Sequence, residues 1–89
     1  LAKALGCDLG VHGIRVNAVE PGWVITPMSA PLTEDPAALK YYNDRVALHR
    51  GAQPAELAAT IAYLLSPDAS YVTAATLLVD GGFIVNAEL

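Results

Sequence analysis

Long apolar runs are missing from this 89-residue chain. Its unbroken hydrophobic stretches fall far short of the roughly 20 residues that cross a bilayer, and no signal-peptide pattern opens it, so a soluble protein is expected. Positive charge is scarce as well. Five Lys and Arg stand against nine Asp and Glu, for a net charge of −4. Nucleic-acid binding requires a basic footprint, and that class is set aside. The single cysteine, Cys7, has no partner for an internal disulfide, which fits a reducing cytoplasm. Internal repeats, low-complexity stretches and domain linkers are absent too, so residues 1–89 read as part of a single domain with a thin core.

Apolar residues are abundant by contrast. They make up 54% of the chain, against roughly 45–50% in ordinary soluble domains, which is more than two strands and three helices can hide. Another chain or further sequence must cover the surplus. The chain opens at Leu1, inside a helical pattern with no capping residue ahead of it, and the expectation is a fragment from the end of a longer protein.

Leu1, Leu5 and Leu9 recur at helical spacing, and Gly10 and Gly13 are placed to stop that helix. The run from Ile14 through Val16, Ala18 and Val19 is nearly continuously apolar, the pattern of a parallel strand covered on both faces. Pro21, with no N–H to give, is expected to end it. Thr26 to Pro31 reads as an irregular loop. Asp35-Pro36 reads as an N-cap with proline in the first turn, opening a helix to about His49, whose imidazole would sit favourably at the helix C-terminus. Leu39, Tyr42 and Val46 share one face of that helix. A further helix starts at Gln53-Pro54, carries Glu56 in its first turn, presents Leu57, Ile61, Leu64 and Leu65 as its apolar stripe, and stops at Ser66-Pro67. Thr76 to Val79 form a second short strand, closed by Asp80-Gly81-Gly82. Strand, helices, strand is a βαβ pattern, so the fold class is α/β with parallel strands. In open parallel sheets, ligands sit beyond the carboxyl ends of the strands, which directs attention to Pro21-Gly22 and the loop behind it.

The stretch Gly13-Ile14-Arg15-Val16-Asn17-Ala18-Val19-Glu20-Pro21-Gly22 strongly resembles the short-chain dehydrogenase/reductase family in its classical form. The resemblance continues through Arg50-Gly51, Gln53-Pro54-Ala55-Glu56-Leu57-Ala58, Tyr63 to Ser66 and Ala69 to Thr73, and closes at Val79-Asp80-Gly81-Gly82. It covers nearly the whole chain in order. It implies the C-terminal portion of a Rossmann-type doubly wound parallel sheet, namely its last two strands and their crossover helices. The implied activity is hydride transfer between NAD or NADP and a small-molecule alcohol or ketone. By position, the resemblance places Pro21, Gly22, Val24 and Thr26 at the nicotinamide half of the dinucleotide: the Val24 backbone on the carboxamide, and the Thr26 hydroxyl near the carboxamide or pyrophosphate. A glycine at 22 would let a flat ring approach closely. Residues 28–49 correspond to the substrate-binding lid, making Met28, Tyr41 and Tyr42 candidates to face substrate, with core packing or exposure the plainer reading of each; Trp23 is a further candidate, which either walls the site or fills the core behind it. Asn17 is implied as a structural hydrogen-bonding position. The helix from Pro54 and the last strand correspond to elements that build homodimers and homotetramers in the family.

The family's proton-transfer machinery, a serine and a Tyr-x-x-x-Lys pair in which lysine lowers the phenol pKa, does not occur in the chain. Tyr41 and Arg45 share the spacing, but arginine replaces lysine and the pair follows the Pro-Gly loop instead of preceding it. Lys3 lies too close to Ile14 to be the family's lysine. The Gly-rich phosphate turn is missing too. Ala74-Ala75 stands where Gly-Gln is common, which bears on the turn before the last strand. Cys7, Asp8 and His12 match no zinc spacing, and no metal site is expected. Two classes follow: a piece of a redox enzyme whose catalytic residues lie elsewhere, or a non-catalytic truncated chain that associates with a full-length relative. Substrate and the choice between NAD and NADP are not encoded in these residues.

Overall fold

The structure, a computed structural model, describes residues 1–88, with side chains described to Val85. Helix α1 (Ala2–Leu9) runs into a 3-10 turn, Gly10–His12. Gly10 is still right-handed, and it is Gly13, at φ 73°, that reverses the chain. A left-handed residue at this point favours glycine, because a Cβ there crowds the following carbonyl.

Strand β1 (Ala18–Pro21) and strand β2 (Thr76–Val79) pair in parallel, Ala18 opposite Thr76 and Pro21 opposite Val79. The parallel βαβ expectation holds. The regular strand is shorter than the apolar run suggested, because residues 15–17 pair irregularly. The Val16 N–H donates to Thr73 Oγ1 (3.1 Å), and its carbonyl accepts from the Ala74 N–H (2.8 Å). Asn17 takes both ends of a bridge: Nδ2 donates to the Val72 carbonyl (3.0 Å) and Oδ1 accepts from the Ala75 N–H (3.1 Å). This is the supporting role expected of it. Pro21 closes β1, yet the ladder runs one step further, with the Gly22 N–H donating to the Val79 carbonyl at 2.9 Å.

Between the strands lie α2 (Ala30–Thr33), α3 (Pro36–Arg45) and α4 (Pro54–Leu65). Asp35 caps α3 as expected, accepting from the Ala37 N–H at 3.0 Å. Two expectations fail here. Thr26 to Pro31 is a 3-10 turn followed by α2, because Ser29 Oγ takes the Thr26 N–H (2.9 Å) and Thr26 O takes the Ser29 N–H (3.0 Å), closing the turn. Helix α3 stops at Arg45, four residues before His49. Val46 turns extended, buries its side chain to 3% exposure, and leads into a segment whose Leu48 N–H donates to the Gly81 carbonyl (3.1 Å). His49 therefore caps no helix and sits at φ 58°. Helix α4 has the expected bounds, and its last turn is gripped by Arg15, whose Nη1 donates to the carbonyls of Leu64 (2.8 Å) and Val72 (3.2 Å). A final helix, α5 (Phe83–Glu88), went unexpected. Its first turn is capped by Asp80, which accepts from the Gly82 (2.9 Å) and Ile84 (3.0 Å) N–H groups.

Only Val46, Leu64 and Ala69 form a buried apolar core among the described residues. The strands are not covered on both faces by this chain: Leu77 and Leu78 remain 39% and 37% exposed, and Leu65 of the α4 stripe is 79% exposed. The accessible surface is 6182 Å², where a self-contained globule of this mass would show about 5,000 Å². The radius of gyration, 15.8 Å, likewise exceeds the roughly 12 Å of a compact 89-residue body. The surplus surface is what remains when a sheet of an α/β architecture has a face and edges that the described residues do not cover.

Two outcomes are expected. The 89 residues alone should melt without a sharp transition, and a cooperative two-state melt of a monomer would contradict this. Ala74 sits at φ 57°, so Ala74→Gly should raise the urea midpoint of the chain once its sheet is covered, by about 0.5–1 kcal/mol of stability. An unchanged or lower midpoint would show that the left-handed backbone carries no strain.

Candidate functional site

The exit of β1 is where the expected site residues gather. Pro21 and Gly22 stand at the carboxyl end of the sheet beside Asp80, which follows β2. The structure gives Gly22 a reason that the sequence reading missed. A Cβ there would lie 2.7 Å from both Cα and Cβ of Asp80, so the absent side chain is demanded by the neighbouring strand exit, whatever approaches from outside. Asp80 is committed in turn. Its carboxylate accepts from the Ile84 and Gly82 N–H groups, and these bonds, Ile84 first, hold its pKa below the ordinary carboxylate range.

Beyond Gly22 the chain forms a second, minimal parallel pairing. The Ala52 N–H donates to the Trp23 carbonyl (3.0 Å) and the Ile25 N–H donates to the Ala52 carbonyl (2.8 Å), bridging Val24 to Ala52. A parallel bridge of this type uses the groups of the flanking residues. The N–H and C=O of Val24 itself are left over, and no hydrogen bond engages them among the described residues. Gly51 allows the two segments to meet, since a Cβ on it would lie 2.9 Å from Ile25 Cγ1 and from the Trp23 ring. Thr26 follows directly, its backbone held by Ser29.

The lid candidates are only partly brought together. Trp23 and Tyr42 have ring centroids 6.4 Å apart, and Tyr42 and Tyr41 meet edge to face at 5.3 Å. Trp23 and Tyr42 line a groove of about 420 Å³ with Pro21, Gly22, Leu78 and Phe83. Met28 is 94% exposed and lies outside that groove. Trp23 is itself half-buried against Gly51, with its indole N–H enclosed and unpartnered among the described residues, so its ring is packed into the fold while one edge walls the groove. Arg45 lies over the face of the Tyr41 ring, 3.4 Å from its centroid, and donates to the Tyr41 carbonyl. A cation on the ring face is an aromatic stacking contact, so the Tyr-x-x-x-Arg spacing builds no phenol-activating pair.

Sequence reasoning also passed over Arg50 and Glu56, although both lie in the block that carried the resemblance. Arg50 donates through two guanidinium nitrogens to the Glu56 carboxylate, at 2.7 and 2.9 Å, and Glu56 further accepts from the Gln53 N–H at 3.0 Å. The Arg50 bond first, and the backbone bond second, lower the Glu56 pKa to about 2. A folded-state value below the ordinary 4.5 means that whatever this carboxylate contributes is present above that value and fades as pH falls toward 2. Arg50, Glu56, Asp80, Trp23 and Val46 line a small cleft of about 100 Å³ behind the loop.

No helix among the described residues is long and apolar enough to cross a membrane. A family model described as enoyl-(acyl carrier protein) reductase matches residues 1–84. Galactitol 2-dehydrogenase (L-tagatose-forming) of Cereibacter sphaeroides is 42% identical over 85 residues, which take in 96% of this chain and 34% of that protein. Two solved structures superpose closely. 4-Hydroxyisoleucine dehydrogenase complexed with NADH aligns with TM-score 0.91 at 25% identity, over 94% of this chain and 35% of that one. An actinorhodin polyketide ketoreductase variant with NADPH aligns with TM-score 0.84 at 44% identity, over 92% and 35%. The chain thus spans about a third of the length of the relatives it matches. A match across nearly all of its residues, the parallel Rossmann-type strand pair and the Pro-Gly exit lead to one conclusion: the chain belongs to the short-chain dehydrogenase/reductase family, whose members are NAD(P)-dependent oxidoreductases.

Proposed function

We propose that this chain is the C-terminal part of an oxidoreductase that transfers hydride between NAD(P)(H) and a small alcohol or ketone, and that it receives the nicotinamide end of the dinucleotide. The observation that carries the proposal is the unused backbone of Val24. The Trp23 carbonyl and the Ile25 amide on either side of it are tied to Ala52, which fixes the loop, while its own donor and acceptor are unengaged among the described residues at the carboxyl end of a parallel sheet. A primary carboxamide offers one acceptor and two donors, so an adjacent N–H and C=O are complementary to it. The dinucleotide, when bound, supplies the hydride. Val24 would hold the carboxamide and fix which ring face is presented, with Thr26 alongside. Pro21 directs the chain out of the sheet, and Gly22 lets β1 and Asp80 close up so that the loop emerges where it does.

Trp23 and Tyr42 form the wall on which an alcohol or ketone substrate would rest, with Tyr41 and Met28 further out. The proton-transfer groups of the family are not among these 89 residues, so they come from the sequence that precedes this part in the complete protein. Exposed Leu65 on α4 and Leu77 on β2 supply apolar surface for a homodimer or homotetramer.

The isolated chain should show no NADH or NADPH oxidation with any carbonyl substrate; measurable turnover by the purified 89 residues would refute the assignment of the chemistry elsewhere. In the complete protein, Val24→Ala should bind NADH or NADPH like wild type. Val24→Pro, which loses the N–H, should weaken binding by about tenfold or more. Equal affinities of these two variants in a fluorescence titration would remove Val24 from the site.

A further inference from the structure

The pairing that leaves Val24 free depends on a short segment, Gly51-Ala52, that no regular element holds. It leaves the turn after α3 at Arg50 and enters α4 at Pro54. Two anchors fix it from outside. Arg50 spans to Glu56 in the first turn of α4 through the bidentate pair at 2.7 and 2.9 Å, and the same guanidinium donates to the Gly51 carbonyl at 3.2 Å. Glu56 completes the frame by accepting from the Gln53 N–H. The charged pair thus brackets residues 51–53 from both sides, while their inner side carries the two hydrogen bonds to Trp23 and Ile25.

We infer that Arg50 and Glu56 are positioning residues for the nicotinamide loop, acting through Gly51 and Ala52 to hold the backbone of Val24 in the orientation that a carboxamide needs. The inference rests on the proposed role of Val24 for its functional consequence, but not for the clamp itself. Both side chains are about half exposed, at 52% and 44%, and exposed ion pairs contribute little to global stability. A pair that is weak as a staple but bidentate and bonded at both flanks of a functional segment acts on local geometry. Arg50, Glu56, Ala52 and Trp23 share the lining of one small cleft behind the loop, so the pair and the segment it brackets lie on the same wall.

The test uses the complete protein as wild type, Arg50→Gln, Glu56→Gln and the charge-exchanged double variant R50E/E56R, with amide hydrogen exchange and NADH or NADPH titration as readouts. Each single variant should speed exchange at the Ile25 and Ala52 amides on the order of fivefold while the Gly22 amide, in the main ladder, keeps its rate. The Kd for the dinucleotide should rise by a similar factor with kcat within about twofold, and the double variant, which restores the ion pair but neither the Gly51 nor the Gln53 bond, should recover part of both readouts. Unchanged exchange at Ile25 and Ala52, or acceleration spread equally to Gly22, would overturn the clamp. Changed exchange with unchanged Kd would overturn its role toward the cofactor. A wild type that binds neither dinucleotide would overturn the proposed function instead, and the exchange data alone would then decide the clamp.

Discussion

Two stretches paired at a register offset of 58 positions, Arg15 to Gly22 and Val72 to Asp80, are tied by backbone ladder bonds and by the side chains of Arg15, Asn17 and Thr73. Everything else in the molecule takes its place from that tie. With Val46, Leu64 and Ala69 as the buried apolar core, hydrophobic burial within the chain is too small to specify the arrangement, and directional bonds carry the specification. Arg15 illustrates the economy: one guanidinium satisfies carbonyls at the end of α4 and in the approach to β2, where a terminal helical carbonyl would otherwise need water. The site inherits its position from the same tie, because β1 and β2 end level with one another and deliver Gly22 and Asp80 side by side.

Local chemistry made much of this legible in the sequence. Asp35-Pro36 and Gln53-Pro54 announced their helices through local chemistry: Asp35 accepts first-turn N–H groups, proline removes one in each helix, and Glu56 reaches back to the Gln53 N–H, all independently of tertiary context. Leu-Leu-Val before Asp80-Gly81-Gly82 announced β2 for a similar reason. What failed was decided by partners distant in sequence. Nothing near His49 says that Val46 will leave the helix to enter the core, since the surface it meets belongs to Gly81 and its neighbours. The Thr26–Ser29 turn needed two hydrogen bonds that proline content alone does not reveal, and α5 was hidden because Asp80 looked like the end of a strand when it is equally the cap of a helix.

The candidate site shows the same division. Pro21, Gly22, Val24 and Thr26 were found as a motif, but the reasons attached to them changed. Gly22 is required by Asp80, a residue 58 positions later, and Val24 is available because Ala52 binds its neighbours and leaves it alone. Such reasons lie in pairings, which a one-dimensional pattern records only by their result. The departure at Ala74 was visible in the sequence, and the structure supplies its meaning: an alanine occupies a left-handed position and meets α1 at Gly6, where a Cβ would lie 2.7 Å from the Ala74 nitrogen.

Val46 is more enclosed than any other large apolar side chain of the core, and it is the residue at which the chain leaves α3. That coincidence sets a mechanical rule. The segment from Pro27 to Arg45 is fastened at its far end, through Val46 and the Leu48 bond to Gly81, to the same turn that terminates β2. At its near end the chain is held by the Ile25 bond to Ala52, so α2 and α3 are strung between two ties like a span between its abutments, and neither end comes free of the sheet without a bond breaking.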